Sequence, residues 1–307
     1  MVFSLLGAPI AASIAACADQ PDSPQTDSPQ GSPSATSSPA RRHDELPGGG
    51  RTIFPSRRIV ALYGRPGTSS MGALGAQGPA AGARRVRKLA HRYAKLTSKP
   101  VMPAFEVIAT MGTSEPGPRH DYSARLSPRS LTPWIDAARR AGVYVVLDLQ
   151  PGRARFIDQA KHYRRLLQYP HVGLALDAEW KLTPSQKPLE QIGSTNADDI
   201  NEVIHWLAHL TAANDLPQKA LLLHQFRTSM ITDRTDLDTS HDQLAVIVHS
   251  DGHGTPKDKR GAYRKLARDL PAHARMGWKN FYRQDEPLFT PRQTLDVHPE
   301  PWFISYQ

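Results

Sequence analysis

"VGLALDAEW", Val172 to Trp180, is an apolar run that closes on two carboxylates placed two positions apart. Read as a strand, its alternate residues share a face: Gly173, Ala175, Asp177 and Glu179 point one way, Leu174, Leu176 and Ala178 the other. Small residues fit the crowded interior of a closed sheet, and leucines fit a surrounding helix layer. The phase of the alternation therefore sets both acids on the inner face, at the C-terminal end of the strand.

Seven other stretches share the short β-branched or apolar character, at 58–64, 102–110, 143–150, 220–226, 244–251, 275–282 and 302–307. Between the early ones lie segments whose apolar residues recur every three or four positions: Val86, Leu89, Ala90, Tyr93; Leu131, Trp134, Ile135, Ala138; Phe156, Ala160, Tyr163, Leu167; and Ile200, Val203, Ile204, Leu207, Leu210. Asn196 followed by Asp198 and Asp199 supplies a helix start for the last of these. Eight strands alternating with helices, and no dinucleotide fingerprint after the first, favour an α/β (β/α)8 TIM-type barrel over an open doubly wound sheet. The second half is less regular, because 227–243 and 283–300 carry Pro, Thr and Asp without helical periodicity.

A barrel of this kind places its site at the C-terminal strand ends. Those ends are polar throughout: Tyr63, Glu106, Asp148 and Gln150, Asp177 and Glu179, His224, His249 and Asp251, Lys279, and Tyr306. Two carboxylates as close as Asp177 and Glu179 repel when both are charged, so one keeps its proton near neutral pH. One acid and one base result, the pair that glycosidic bond cleavage requires. Asp148, on the neighbouring strand, is a third catalytic candidate. Tyr63, Glu106, Gln150, His224, His249, Asp251, Lys279 and Tyr306 are candidate substrate-binding residues, and Tyr63, Trp180, Phe281 and Tyr306 could stack on sugar rings.

"LALDAEW" resembles the fourth-strand Asp-x-Glu motif of family-25 glycoside hydrolases, the lysozyme-type muramidases, and more distantly the end of the motif in family-18 barrels. The resemblance implies Glu179 as general acid, with Asp177 orienting or stabilising the substrate. Where the family-25 first strand carries an acid, this chain has Tyr63, and Asp148 is the candidate for that role. An irregular late half is also similar to the family-25 barrel.

"HSDGHG", with His249, Asp251 and His253, and His224 on the preceding strand, offers a metal-ligand set on composition alone. The first strand lacks a His-x-His pair and the last lacks an acid, so no metal is assigned and no cofactor is expected. The loop "GRPGTSSMGALGAQGPAAG" after strand one lacks a Gly-Lys-Ser/Thr ending, and is expected to cover the barrel mouth.

The first residues, "MVFSLLGAPIAASIAAC", read as a secretory leader over 1–17, and Ile14-Ala15-Ala16-Cys17 resembles a bacterial lipobox with Cys17 lipidated. The Pro/Ser-rich stretch 18–52 is expected to be a disordered tether, with a reach on the order of 30 Å, leaving 53–307 for the barrel. These readings imply an extracytoplasmic, membrane-anchored lipoprotein. With Cys17 the one cysteine of 307 residues, no internal disulfide forms. The net charge of +9 is carried largely by dispersed arginine, which fits an anionic polymer or surface. No nucleic-acid-binding signature is present. The expected partner is a polysaccharide or glycan, and the expected function is glycoside hydrolysis on a cell-envelope or extracellular polysaccharide. The opposing class is a non-catalytic carbohydrate-binding lipoprotein.

Overall fold

A computed structural model describes residues 44–307; the leader expected over 1–17 with Cys17, and the stretch 18–43, lie outside the described residues. Eight parallel strands, β1 (Arg58–Gly64), β2 (Val101–Gly112), β3 (Tyr144–Leu149), β4 (Val172–Asp177), β5 (Lys219–Gln225), β6 (Leu244–Ser250), β7 (Arg275–Asn280) and β8 (Phe303–Tyr306), form one sheet. It closes because β1 pairs with both β2 and β8. The protein is an α/β (β/α)8 barrel, as the strand count and alternation predict.

The alternation in β4 sorts as expected. Ala175 joins Ile59, Ala61, Ala104, Val146, Leu222, Ala245 and Phe303 in the cluster that fills the barrel interior, whereas Leu174 and Leu176 pack outward with the helices. Gly173 is required by a close approach: a Cβ there would stand 2.5 Å from the Ala220 carbonyl oxygen and 2.7 Å from the Tyr144 hydroxyl. That hydroxyl fills the space a side chain would take and accepts the Ala220 N–H at 3.1 Å.

The outer layer begins with α1 (Pro79–Ala94), α2 (Pro128–Ala141), α3 (Phe156–His162), α4 (Arg164–Leu167) and α5 (Ala197–Ala213). Helix α2 opens on Ser127, whose side chain accepts the Ser130 N–H, and stops at Gly142 in the left-handed region (φ 64°). Helix α5 opens on Asn196, whose side chain accepts the Asp199 N–H at 2.9 Å, the start its sequence predicts. The second half does hold one full helix that hydropathy alone leaves unmarked, α6 (Pro256–Arg268): only Lys259, Tyr263 and Leu266 of its 13 residues are buried, too few apolar positions to show a period. Residues 226–243 carry only single 3-10 turns and a two-residue strand, and 283–300 only the short α7 (Pro291–Leu295).

The folded body starts before Ile53. Leu46 is 2 % exposed and packs with Ile53 under the barrel interior, and Ile53 and Phe54 donate their N–H groups to Gln218 at the foot of β5. One leucine in a polar stretch carries no periodicity, so the sequence hides this plug.

Gly173→Ala is expected to lower unfolding stability by about 1–3 kcal/mol, read as a lower denaturant midpoint at unchanged m-value.

Candidate functional site

The inner faces of the strands end in a ring of ionisable side chains. Glu106 on β2, Asp148 on β3, Asp177 on β4, His224 on β5, His249 on β6 and Lys279 on β7 are all buried, and Asp251 follows β6 at the mouth. Small residues one step below, Ala104, Ala175 and Gly277, leave room for this polar layer above an apolar floor.

His224 is its centre. Its Nε2 lies 2.7 Å from Glu106 Oε1, and its Nδ1 lies 3.2 Å from Asp251 Oδ2 and 3.9 Å from Asp177 Oδ2. Burial opposes a charged imidazole, but the contacts with Asp251 and Glu106 outweigh it and hold the pKa well above the usual histidine range. The two partners respond in kind. Burial would raise Glu106, yet the hydrogen bond and charge of His224, aided by Lys279, bring it to about 2. Asp251 is likewise lowered, His224 overriding its burial. His249, 3.2 Å from Ser305 Oγ, is pushed well below its usual value by burial and stays neutral.

The remaining acids go the other way. Burial lifts Asp148 to about 6, His224 and Lys279 offsetting part of the effect. Burial and the neighbouring Glu179 raise Asp177 well above the carboxylate range. Burial and Asp251 raise Glu179 to about 7. Asp148 accepts the Tyr63 hydroxyl at 3.0 Å, and Gln150 Nε2 donates to the same phenol oxygen at 3.2 Å. Lys279 Nζ rests 3.4 Å from the centre of the Tyr63 ring, a cation on an aromatic face.

Glu179 is not on the strand. The chain leaves β4 through a 3-10 turn, Ala178–Trp180, capped by Asp177 Oδ1, which accepts the Glu179 N–H at 3.3 Å. The Glu179 carbonyl accepts Gly193 N–H at 2.6 Å, fixing the turn from its other side. Gly112 matters here, because a Cβ would meet the Trp180 ring at 2.1 Å; the glycine lets the indole lie against the end of β2.

These elements border a cleft of about 540 Å³ lined by Tyr63, Gln150, Glu179, Trp180, Phe226, Asp251, His253, Lys279, Phe281 and Gln307, with Ser70 and Met71 of the glycine-rich loop at its edge. Glu179 and Trp180 also border a second depression of about 380 Å³, walled by Leu182, Pro188, Leu189 and Ile192. Glu179 thus stands where two hollows meet.

The structure brings together Glu179, Asp251, Tyr63, Gln150 and Lys279 on the cleft, with Glu106, Asp148, Asp177, His224 and His249 beneath it. Several expectations change. Asp148, expected to be catalytic, and Glu106, His224 and His249, expected to bind substrate, are 0 % exposed and do not border the cleft. Asp177 does not share the cleft with Glu179; at 2 % exposure it is a buried cap, and Asp251 is the acid facing the cleft beside Glu179. Tyr306 is not a substrate contact: Phe303 and Ser305 take the inner face, so Tyr306 points outward, its hydroxyl 2.6 Å from that of Tyr93. His253 lies on the rim, exposed and edge-on to Phe281, apart from His249. Sequence reasoning did not select Phe226 or Gln284; Gln307 belongs to the polar ring at the strand ends but was passed over for Tyr306 as a binding residue, although the alternation of β8 favours it. Glu106, His224 and His249 present ligand atoms within 4.8 Å of one another, but the first two already spend theirs on each other.

No protein-family model and no curated protein matches this chain. Among solved structures it is similar to an HpcH/HpaI aldolase from Desulfitobacterium hafniense (14% identity, 82% of this chain and 86% of that one, TM-score 0.39). It is also similar to a 7,8-dihydropteroate synthase from Vibrio fischeri (12% identity, 83% and 88%, TM-score 0.37). Likenesses this distant carry nothing about chemistry.

The raised pKa of Asp177 makes folding take up a proton. Its contribution is fully present below the unfolded value near 3.8 and is lost as pH rises toward the folded value. Asp177→Asn, which cannot ionise, is therefore expected to gain thermal stability relative to wild type as pH rises from 4 to 8, measured as the difference in melting temperature at each pH.

Proposed function

We propose that the barrel is a glycoside hydrolase acting on a polysaccharide, with Glu179 as general acid and Asp251 as its ionised partner. One observation carries the reading: two carboxyl groups border one cleft, and their surroundings divide the protons between them. Glu179 holds its proton to about 7, while His224 keeps Asp251 charged. In the cleavage step the Glu179 proton passes to the leaving glycosidic oxygen as its bond to the anomeric carbon breaks, and the electron pair departs with that oxygen. The positive charge that develops on the sugar faces the Asp251 carboxylate; water then adds its hydroxyl to the anomeric carbon, and the proton it releases restores Glu179.

The surroundings fit that chemistry. Trp180, Phe226 and Phe281 give the cleft aromatic walls for sugar faces. Tyr63, Gln150 and Lys279 supply hydrogen-bond donors and acceptors for hydroxyls. Glu179 at the meeting of two hollows suits a bond inside a polymer, with residues of the chain on either side. Phe226 is shared with a further groove carrying Arg227, Lys257, Arg264 and Lys265, which favours a polymer bearing acidic groups. The lipobox resemblance at Cys17 adds a location for such a substrate, the cell envelope.

The full chain, incubated with a panel of envelope and extracellular polysaccharides, is expected to release new reducing ends from at least one acidic polymer. Glu179→Gln should lower kcat/KM by about 10²–10⁴-fold while retaining polymer binding. Binding without release by the wild-type protein would identify a carbohydrate-binding barrel instead. Because the acid must be protonated, kcat/KM should fall as pH rises through about 7, and Glu179→Gln should lose that limb. Asp251→Asn should depress kcat with little change in KM, and a full rate in this variant would remove Asp251 from the mechanism.

A further inference from the structure

Between β5 and β6 the barrel has a strap, residues 226–243, where a helix would normally lie. It is tied to helix α5 by reciprocal bonds: Asn201 Nδ2 donates to the Asp236 carbonyl at 2.9 Å, and the Asp238 N–H donates to Asn201 Oδ1 at 2.8 Å. One turn further along α5 stands His205, and three residues beyond Asp238 stands His241. Both imidazoles turn the same atom toward one carboxylate oxygen. His205 Nε2 lies 3.0 Å and His241 Nε2 3.2 Å from Asp238 Oδ2, and the three atoms lie within 4.8 Å of one another.

Hydrogen bonding accounts for only half of this convergence. His205 Nε2 is aligned with the carboxylate oxygen, whereas His241 Nε2, itself buried, has no hydrogen-bond partner. The other carboxylate oxygen, Oδ1, is taken by the Ser240 N–H at 3.2 Å and its hydroxyl at 2.6 Å. Ser240 thus fixes the carboxylate and leaves Oδ2 to face the two nitrogens, the outer-sphere support that metal-binding carboxylates commonly receive. In a tetrahedral zinc site, with bonds of about 2.0–2.1 Å, neighbouring ligand atoms are roughly 3.4 Å apart. The two nitrogen–oxygen separations need only a few tenths of an ångström to reach that edge.

We propose that His205, Asp238 and His241 bind a zinc-type divalent ion on the outer wall of the barrel. Two imidazoles and one carboxylate select zinc and its later first-row neighbours over calcium or magnesium, which take all-oxygen sets. The three side chains are partly open to solvent, at 56, 35 and 32 %, so water completes the coordination. The ion fastens the strap to α5 where no helix packs, and it has no part in the cleft chemistry.

The test is a calorimetric titration of the chelator-treated full chain with zinc chloride near neutral pH. One ion per chain is expected, with no comparable binding of calcium. His241→Ala should weaken zinc at least tenfold, and His205→Ala/His241→Ala should abolish the site with an unchanged circular dichroism spectrum. His205→Gln provides a milder second variant. Zinc at a hundredfold excess over Kd should raise the melting temperature of the wild-type protein by about 5 °C and leave the double variant unmoved. No binding to the wild-type chain would overturn the proposal, as would equal calcium affinity. Unchanged zinc binding in the double variant would do so too, handing the ion to the Glu106, His224 and His249 cluster.

Discussion

The barrel mouth depends on one buried cation, the His224 imidazolium held between Glu106 and Asp251. Five carboxyl groups crowd this end of the barrel, and the cations whose charge offsets burial at several of them are His224 and Lys279. Charges taken out of water survive only beside an opposite charge. Glu106 and Asp251 contact the imidazole and stay ionised; Asp148, Asp177 and Glu179 do not make that contact so closely, and burial favours their protonated forms. The pattern of protons is thus set by which acids touch His224, and the two carboxyl groups of the cleft, Glu179 and Asp251, fall on opposite sides of it.

The same arrangement puts function at odds with stability. Ala104, Ala175 and Gly277 at mid-height make room for the ionisable layer beside Val146, Leu222 and Ile247, and the buried acids above it fold less favourably than isosteric amides would once the solution is alkaline enough to ionise them. The apolar floor offsets that cost. Leu46 and Ile53 plug the lower end beneath Tyr144, Val146 and Leu222, and the outward leucines of β4 and β5 bury fully against the helices.

Much of this was legible in the sequence, and the losses have physical causes. The strands and early helices carry their own periods, and the phase of β4 placed Ala175 and Asp177 inward without any knowledge of neighbours. The phase argument failed past the last ladder bond. Beyond Asp177 the chain turns into a 3-10 helix, so Glu179 reaches the cleft by a route alternation does not describe, while Asp177 stays behind as its cap. At β8 the neglected phase mattered more: Ser305 and Gln307 share the inner face, so Tyr306 had to point away. The pairing of Asp251 with His224 joins the segment just past β6 to the neighbouring strand through space, and no local pattern announces such a contact.

The irregular half of the barrel adds polar ties to an apolar cluster of its own, in which Tyr263 and Leu266 pack with Val248, Met276, Trp278, Phe289 and Val297. Helix α6 presents few hydrophobic residues to the sheet, and its buried Lys259 pairs with Asp285 in the following loop. The same ammonium donates to the Lys279 carbonyl, and Asp285 accepts the Phe281 N–H at 2.9 Å. A buried ion pair adds little net stability compared with good apolar packing, but it tolerates only one geometry. That selectivity is what the site needs at this point, because Lys279 and Phe281 both face the cleft. The ladder with β8 holds the register of Lys279 and Asn280, and the ion pair, which also binds the Lys279 carbonyl and the Phe281 N–H, ties helix α6 and the loop at Asp285 to that strand end.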